Sequence, residues 1–368
     1  MEFTSIAERE QVQDRKAGLK RKGKTTHTNM KLKKRQIALL IFLVVGTIYV
    51  AITNGNKTPG AKTWKFSERI FGTVMNVTYT GTKNLQDTIM TCLKDVDSSL
   101  SMFNPKSTIS RINRGETDTL DAYLAEILPM AHSVSEATDG AFDITVAPLV
   151  NAWGFGFKSG KLPTDAQVDS LRALVGYKAI TFANGLLRKE NPGTIIDLSA
   201  IAKGFGTDQV ANLLMERGVK DFMVEIGGEI VTRGNNPKGK AWNIGINRPV
   251  EDSTCTNNEI QEVIEVHDRA MATSGNYRNF YITEDGRKVS HTIDPSSGRP
   301  VQHSLLSSTV LAPTCAIADA FATSFMVMGI EKAKEVVEAH PELQVYFIYT
   351  DSTGTYKTWQ NIKTEEQP

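Results

Sequence analysis

The chain has 368 residues, of which 40% are hydrophobic and 23% are charged, and its formal net charge is +1. This length and composition are typical of one large or two ordinary folded domains, and they exclude collagen-like, low-complexity and wholly disordered chains. Residues 1–36 carry 11 Lys and Arg against four Asp and Glu while the rest is net acidic, which also excludes a basic nucleic-acid-binding protein.

The N-terminal part of the chain joins this basic tail, residues 1–36, to a run of 17 uncharged residues at 37–53. Such a run is at the lower limit for a membrane span and at the upper limit for a signal-peptide core. Positive charge on its N-terminal side predicts a cytoplasmic tail and an exported domain. We therefore expect a signal anchor or a cleaved signal peptide, with a start at Met1 or Met30. The expected location is the bacterial inner membrane, with the folded domain on its periplasmic or outer face.

A linker rich in Gly, Asn and Pro is predicted at residues 54–64, before a folded domain at residues 65–363. The first predicted elements of this domain are a strand at 73–80 and a helix whose apolar residues recur from Leu85 to Leu100. A second helix is predicted at 121–138, with a kink at Pro129. A third helix begins at the capping box formed by Thr164 and Gln167 and continues to about residue 175.

The remaining predicted elements mix strands and helices. Strands are predicted at 179–182, 194–197, 222–231, 260–266, 280–283, 307–312 and 343–349, and helices at 199–217, 315–328 and 331–339. The two kinds of element follow one another without the regular repeat of a parallel sheet. The sequence therefore predicts an α+β fold.

Several signatures of catalysis and cofactor binding are absent from the sequence. The chain has no P-loop and no H-E-x-x-H, and Gly204-Phe205-Gly206 lacks the third glycine of a dinucleotide-binding fingerprint. Its three cysteines, Cys92, Cys255 and Cys315, are far apart and include no C-x-x-C. We therefore expect neither a disulfide framework nor a thiol redox site.

The first two candidate clusters lie at residues 138–143 and 195–204. Gly140 can end the preceding helix in a left-handed conformation and leave amides where a flat ring could dock, although this pattern is also an ordinary helix stop. In the second cluster a strand ends at Asp197 and a helix begins beside Ser199, where free N–H groups can bind an anion. Lys203 would add a charge for a pyrophosphate, whereas the alternative makes Asp197 or Ser199 a simple N-cap.

The other two clusters lie at residues 271–300 and 312–323. His291 precedes a tight turn at 294–298, and it is a candidate general base or a structural histidine. Asp319 and Thr323 are four residues apart and share one helical face. Their carboxylate and hydroxyl oxygens suit Mg²⁺, or they form a polar stripe without a metal.

Together with Glu225-Ile226-Gly227-Gly228, these clusters have the order and spacing of the ApbE family of FAD:protein FMN transferases. The chain resembles that family from residue 71 to residue 359. The resemblance implies an α+β fold of two related subdomains. It also implies Mg²⁺-dependent transfer of FMN from FAD to a Thr or Ser of an acceptor protein, with release of AMP. The implied acceptor is a flavin-accepting subunit of a respiratory complex or another exported flavoprotein.

The resemblance also implies roles for residues at matching positions. Asp319 and Thr323 match metal ligands, Ala200 matches a residue whose backbone carbonyl binds the metal, and Ala322 lies beside that position. His291 matches the histidine that helps to deprotonate the acceptor hydroxyl, so His291 and Asp319 are the expected catalytic residues. The positions that line FAD correspond to Phe71, Phe103, Ala141, Phe142, Asp143, Asp197, Lys203 and Ile293.

Four of these residues depart from the family's pattern. Phe71 and Phe103 stand where relatives often have Met and Tyr, and Phe103 keeps ring stacking but loses one hydrogen bond. Lys203 stands where some members have an acidic residue. Ala322 also replaces an acidic residue found in some members, which leaves Asp319 as the only carboxylate of its helix. This departure predicts either a lower metal affinity or another ligand that compensates.

Two alternatives to the transferase remain open. The same pocket would serve an FAD pyrophosphatase, in which water replaces the acceptor hydroxyl, or a flavoprotein that only holds FAD. A membrane-tethered binding protein without catalysis is the other alternative, and the presence of Asp319, Thr323 and His291 argues against it.

Overall fold

The computed structural model describes residues 33–54, 60–156, 162–250, 259–277, 280–283, 286 and 288–362. Most of the predicted basic tail, residues 1–32, lies outside these ranges, as does Cys255. The chain divides into two compact units, Met1–Lys57 and Thr58–Pro368.

The described part of the first unit is helix α1, Lys34–Asn54, which contains the uncharged run of the sequence. Large apolar side chains of this helix, such as Leu39, Phe42 and Leu43, are exposed. Among the residues that the structure describes, no helix has both the length and the apolarity needed to cross a membrane.

The strands and helices of the second unit alternate irregularly, as the sequence predicts. Its strands are β1 (Lys62–Ile70), β2 (Thr73–Gly81), β3 (Ile180–Ala183), β4 (Leu186–Lys189), β5 (Asp221–Ile226), β6 (Glu229–Arg233), β7 (Trp242–Asn247), β8 (Ile260–Val266), β9 (Ala270–Gly275), β10 (Phe280–Ile282), β11 (Lys288–Ser290), β12 (Ile293–Asp294), β13 (Arg299–Pro300), β14 (Leu305–Ala312), β15 (Gln344–Thr350) and β16 (Tyr356–Gln360). Its helices are α2 (Gln86–Leu100), α3 (Thr108–Asn113), α4 (Ala122–Ala137), α5 (Ala147–Ala152), α6 (Asp165–Arg172), α7 (Ser199–Glu216), α8 (Cys315–Met328) and α9 (Ile330–Ala339).

Eight strands form one antiparallel sheet in the order β1-β2-β5-β6-β9-β14-β15-β16. The sheet has two halves of four strands, and the halves meet where β6 pairs with β9 through Ile230–Met271 and Val231–Ala270. Helix α7 packs on β5 and β6, and helix α8 packs on β9 and β14. Each half of the sheet therefore carries one long helix, and these two helices also pack on each other.

The contact between α7 and α8 depends on Gly204. A Cβ atom at this position would overlap the Cys315 carbonyl oxygen and would lie 2.6 Å from the carbonyl carbon. Only a residue without a side chain lets the two backbones approach this closely. The close crossing brings residue 203 of α7 beside Asp319 of α8, which is where the candidate site forms.

Apolar clusters cover both faces of the sheet. On the helical face, Val77 and Phe222 pack with Leu93 of α2, while α8 packs on β14 and α9 packs on β15. On the other face, the β7–β8 hairpin places Trp242 and Ile264 against the sheet. Both faces of the central strands are therefore buried, and the sheet is a rigid base for the residues at its ends.

The structure confirms the α+β class and several predicted elements. Helix α8 has the predicted bounds, and both hydrogen bonds of the Thr164–Gln167 capping box are present at the start of α6. Gly140 has φ +78° and ends α4, and Gly298 has φ +69° in the turn between β12 and β13. Cys92 and Cys315 are free cysteines.

Three predicted segments differ from the structure. Strand β1 begins at Lys62, inside the predicted linker 54–64, because Trp64 packs on Tyr79 of β2 with ring centroids 6.4 Å apart. The predicted strand 222–231 is the β5–β6 hairpin, since Gly227 and Gly228 adopt positive φ and turn the chain. The predicted strand 194–197 is irregular, because the Asn113 side chain bonds both the N–H and the carbonyl of Ile196 at 2.8 Å.

Candidate active site between the two long helices

A cavity of about 420 Å³ lies at the start of α7 and beside the middle of α8. It brings together ten of the residues predicted from the sequence, namely Ala141, Phe142, Asp143, Asp197, Ala200, Lys203, His291, Ile293, Asp319 and Thr323. A second cavity of about 410 Å³ contains Phe71 and Phe103, and it shares Ser199 and Lys203 with the first. Residues far apart in the chain therefore line two adjoining spaces.

Ala322 is the one predicted site residue that lines neither cavity. Its side chain is fully buried in an apolar cluster. Its place beside a metal stays a prediction from the resemblance.

The charged centre of the site is the ammonium of Lys203. Its Nζ lies 2.6 Å from Glu229 Oε1 and 3.7 Å from Asp319 Oδ2. Both carboxylates are almost fully buried, with 3% of Glu229 and 2% of Asp319 exposed. Asp319 Oδ2 also accepts a hydrogen bond from the Gly204 N–H at 3.1 Å, so the close helix crossing fixes this carboxylate.

The electrostatics of this centre favour an added cation. Burial raises the pKa of Asp319 and of Glu229, although the Lys203 ammonium acts in the opposite direction on each. Burial disfavours the charge of Lys203, but the Asp319 and Glu229 carboxylates outweigh it and raise the pKa of Lys203. Two buried carboxyl groups thus share one ammonium, and a bound cation would favour the ionised forms of both.

The oxygen atoms beside Asp319 have the chemistry that Mg²⁺ requires. Thr323 lies one turn further along α8, with its hydroxyl 3.2 Å from the Ser274 hydroxyl, and the Ala200 residue lines the same cavity. No group of three His, Cys, Asp or Glu that could hold a metal occurs in the part of the chain that the structure describes. A few protein oxygens completed by water or phosphate are typical of Mg²⁺, so the donor set fits this ion.

Asp143 holds a loop of the cavity wall in place through hydrogen bonds. Its Oδ1 accepts from the Thr145 N–H at 2.8 Å and from the Thr145 hydroxyl at 2.6 Å, and its Oδ2 accepts from the Tyr177 N–H at 2.9 Å. Burial raises the pKa of this carboxyl, although the three hydrogen bonds favour its ionised form. Asp143 therefore shapes the wall that Ala141 and Phe142 present to a ligand.

Asp197 and Ser199 lie on either side of Leu198, which is the N-cap of α7 and makes no side-chain capping hydrogen bond, so the alternative of a simple N-cap at Asp197 or Ser199 is wrong. Asp197 Oδ1 accepts from the Ser199 N–H at 2.8 Å and from the Ser199 hydroxyl at 2.5 Å, at the first turn of α7. Burial raises the pKa of Asp197, while these two hydrogen bonds lower it. The carboxylate thus orders the start of the helix that carries Ala200 and Lys203.

His291 lines the cavity from a segment that other residues hold firmly. Its ring lies edge-on to Phe155, with centroids 6.3 Å apart. The adjacent Thr292 hydroxyl donates to Asn276 Oδ1 at 2.6 Å, and the Trp153 indole N–H donates to the Gly298 carbonyl at 2.8 Å. The histidine therefore has a defined position in the same cavity as the charged centre.

Two carboxylates of this region were not predicted from the sequence. Glu229 partners Lys203, and its only sequence signal is a charge directly after the Gly227-Gly228 turn. Asp208 lies at the other end of the helix pair, where it accepts from the Cys315 and Ala316 N–H groups at 2.8 Å. Burial raises the pKa of Asp208 to about 7, against the effect of the two amides. Asp208 thus anchors the start of the helix that carries Asp319 and Thr323.

Comparison with known proteins agrees with this geometry. A profile of the ApbE family matches residues 71–347. The FAD:protein FMN transferase of Vibrio cholerae is 39% identical over 291 residues, which make up 76% of this chain and 86% of that protein. The enzyme of the same name from Haemophilus influenzae is 40% identical over 289 residues, or 76% of this chain and 82% of that protein.

Solved structures with similar names have the same fold. The flavin transferase ApbE from Vibrio cholerae superposes with a TM-score of 0.74 at 36% identity, over 82% of this chain and 97% of that one. The apo form of the Pseudomonas stutzeri flavinyl transferase ApbE superposes with a TM-score of 0.73 at 30% identity, over 82% of this chain and 95% of that one.

Proposed function

Because the chain belongs to the ApbE family, we propose that it is an FAD:protein FMN transferase. The observation that carries this proposal is the convergence of Lys203, Asp319, Thr323 and His291 on one cavity. Their charges and oxygen atoms suit a diphosphate, a divalent cation and a proton transfer. The names of the relatives support FAD as the donor substrate.

In the proposed reaction, a Thr or Ser hydroxyl of an acceptor protein attacks the phosphorus of the FMN part of FAD. The new bond joins that phosphorus to the acceptor oxygen, the P–O bond to the AMP phosphate breaks, and AMP leaves. His291 takes the hydroxyl proton, which is the role of a general base positioned in the cavity. Lys203 offsets negative charge on the diphosphate as the bond breaks.

We assign Asp319, Thr323 and the Ala200 carbonyl as the groups that would hold Mg²⁺. The ion would supply positive charge next to the diphosphate. The α7–α8 crossing supports this assignment, because the Gly204 N–H fixes the orientation of the Asp319 carboxylate.

The proposal is tested by incubating the purified protein with FAD, Mg²⁺ and a flavin-accepting subunit of an exported respiratory complex. We expect mass spectrometry to find FMN on one Thr or Ser of the acceptor and AMP in solution. Asp319→Ala should lose turnover and keep part of its FAD binding. Release of free FMN and AMP with an unmodified acceptor would instead identify an FAD pyrophosphatase.

We further propose that the N-terminal segment attaches the enzyme to the bacterial inner membrane and places its domain outside the cytoplasm. The support is the sequence pattern, a basic tail at 1–36 followed by the uncharged run at 37–53. A membrane-impermeant, amine-reactive reagent should label the domain in intact spheroplasts, and deletion of residues 1–53 should abolish that labelling. Equal protection of both forms from the reagent would contradict an exported domain.

A further inference from the structure

We infer that Glu229 is a positioning residue, which holds the Lys203 ammonium away from Asp319 so that Asp319 remains free to bind a divalent cation. The inference rests on the proposed function for the identity of the cation site. It assigns to Glu229 a role that neither the sequence clusters nor the proposed reaction requires.

The hairpin β5–β6 explains why Glu229 faces the site. Directly opposed residues of an antiparallel pair lie on the same face of a sheet. Glu229 is paired with Ile226, which is buried against α2 and α7, whereas Glu225 is paired with Ile230, which packs under the β7–β8 hairpin. Glu229 therefore faces the helices and the cavity, and Glu225 faces the other way.

The hydrogen bonds of the two glutamates show which one serves the scaffold. Glu225 Oε1 accepts from the Gly228 N–H at 3.2 Å, and Glu225 Oε2 accepts from the Asn76 amide at 2.5 Å. Glu229 Oε1 contacts the Lys203 ammonium, while the buried Glu229 Oε2 has no hydrogen-bond partner among the described residues. A buried carboxylate oxygen without a partner is unfavourable, so a purely structural glutamate would not be kept in this environment.

The two distances from Lys203 give Glu229 its positioning role. The ammonium lies 2.6 Å from Glu229 but 3.7 Å from Asp319, so its close ion pair is with Glu229. Among the described residues, Glu229 and Asp319 are the carboxylates within 4 Å of the Lys203 ammonium. If Glu229 lost its charge, Asp319 would be the one that remains. Lys203 would then move onto Asp319 and compete with a metal ion for the same oxygen atoms.

The test compares Mg²⁺ binding to the full-length protein and to three variants, with Mg²⁺ alone as the probe and calorimetry as the readout. Glu229→Gln should weaken the affinity for Mg²⁺ about tenfold, which corresponds to about 1.4 kcal/mol. Adding Lys203→Met to Glu229→Gln removes the competing ammonium and should restore the affinity to within about threefold of the wild type. Glu225→Gln is the matched control, and it should leave Mg²⁺ binding unchanged.

The outcomes separate this inference from the proposed function. A loss of Mg²⁺ binding in Glu229→Gln that Lys203→Met does not reverse would overturn the positioning role, because a general structural defect has that signature. Equal effects of Glu229→Gln and Glu225→Gln would overturn it as well. FMN transfer by a wild-type protein that binds no Mg²⁺ would overturn the inference and leave the transferase intact.

Discussion

The helix crossing at Gly204 predicts a variant in which stability and metal binding fail together. Gly204→Ala places a methyl group 2.6 Å from the Cys315 carbonyl carbon and 2.8 Å from the Ala316 nitrogen. These are backbone atoms at the start of α8, so they cannot rotate aside as a flexible side chain would. The two helices must separate, and the Asp319 carboxylate then loses the Gly204 N–H that fixes it.

The size of the expected change in the free energy of unfolding follows from one stabilising and two destabilising contributions. Alanine favours a helix over glycine by about 1 kcal/mol. Overpacking between buried elements costs about 1–3 kcal/mol. The lost hydrogen bond to a charged group costs about 1.5–3 kcal/mol. We therefore expect Gly204→Ala to lower the free energy of unfolding by about 2–4 kcal/mol, despite its better helix propensity.

Urea unfolding followed by circular dichroism measures this change, and Mg²⁺ titration reports on the site. Gly206→Ala is the matched control in the same helix, because its methyl group would lie 2.7 Å from the end of the Phe71 ring, which can move. We expect the control to stay within about 1 kcal/mol of the wild type. A Gly204→Ala protein as stable as the wild type, with full Mg²⁺ affinity, would refute the argument from close packing.

Three other predictions follow from single contacts. The folded pKa of Asp208, about 7, is raised above its unfolded value, so this group contributes stability that is lost as the pH rises from about 4 to 7. The free energy of unfolding should fall by at most about 1.4 kcal/mol per pH unit. Urea unfolding of Asp208→Asn should show no such fall, and parallel pH profiles of the two proteins would contradict the prediction. In the same assay, Asp143→Ala should lower the free energy of unfolding by about 2–4 kcal/mol, because it leaves the Thr145 and Tyr177 amides without their acceptor. An unchanged urea midpoint would contradict that role. Phe103 lines the second cavity and is 64% exposed. Phe103→Ala should therefore raise the KM for FAD about tenfold and leave the urea midpoint of unfolding unchanged. An unchanged KM would place FAD elsewhere.

Elements set by local chemistry were predictable from the sequence. The capping box of Thr164 and Gln167 and the bounds of α8 depend on residues within a few positions of one another. Strand β9, Ala270–Gly275, was missed because its small and polar residues have low strand propensity. It is a strand because β6 and β14 pair with it on either side, and those partners are distant in the sequence.

The same distinction applies to the site. Asp319 and most of the other predicted site residues occur in local clusters, whereas Phe71 and Phe103 were predicted only through the resemblance to the ApbE family. The comparisons confirm that resemblance, which also supplied the common purpose of the clusters. Asp208 has no such local signal, since its partner Cys315 lies 107 residues away. Glu229 was likewise hidden inside a predicted strand, because its partner Lys203 belongs to a different element. Contacts across the fold decide these roles.

The order of the strands has a consequence for how this family can diversify. Neighbouring strands β2 and β5 are joined by residues 82–220, and this one connection carries six of the eight residues proposed to line FAD, from Phe103 to Lys203. His291, Asp319 and Thr323 come from connections between strands of the second half of the sheet, His291 between β9 and β14 and the other two between β14 and β15. Insertions and substitutions in the connection can alter which nucleotide is held without shifting the register of any strand in the sheet. Contacts to the donor can therefore change while His291, Asp319 and Thr323 stay in place.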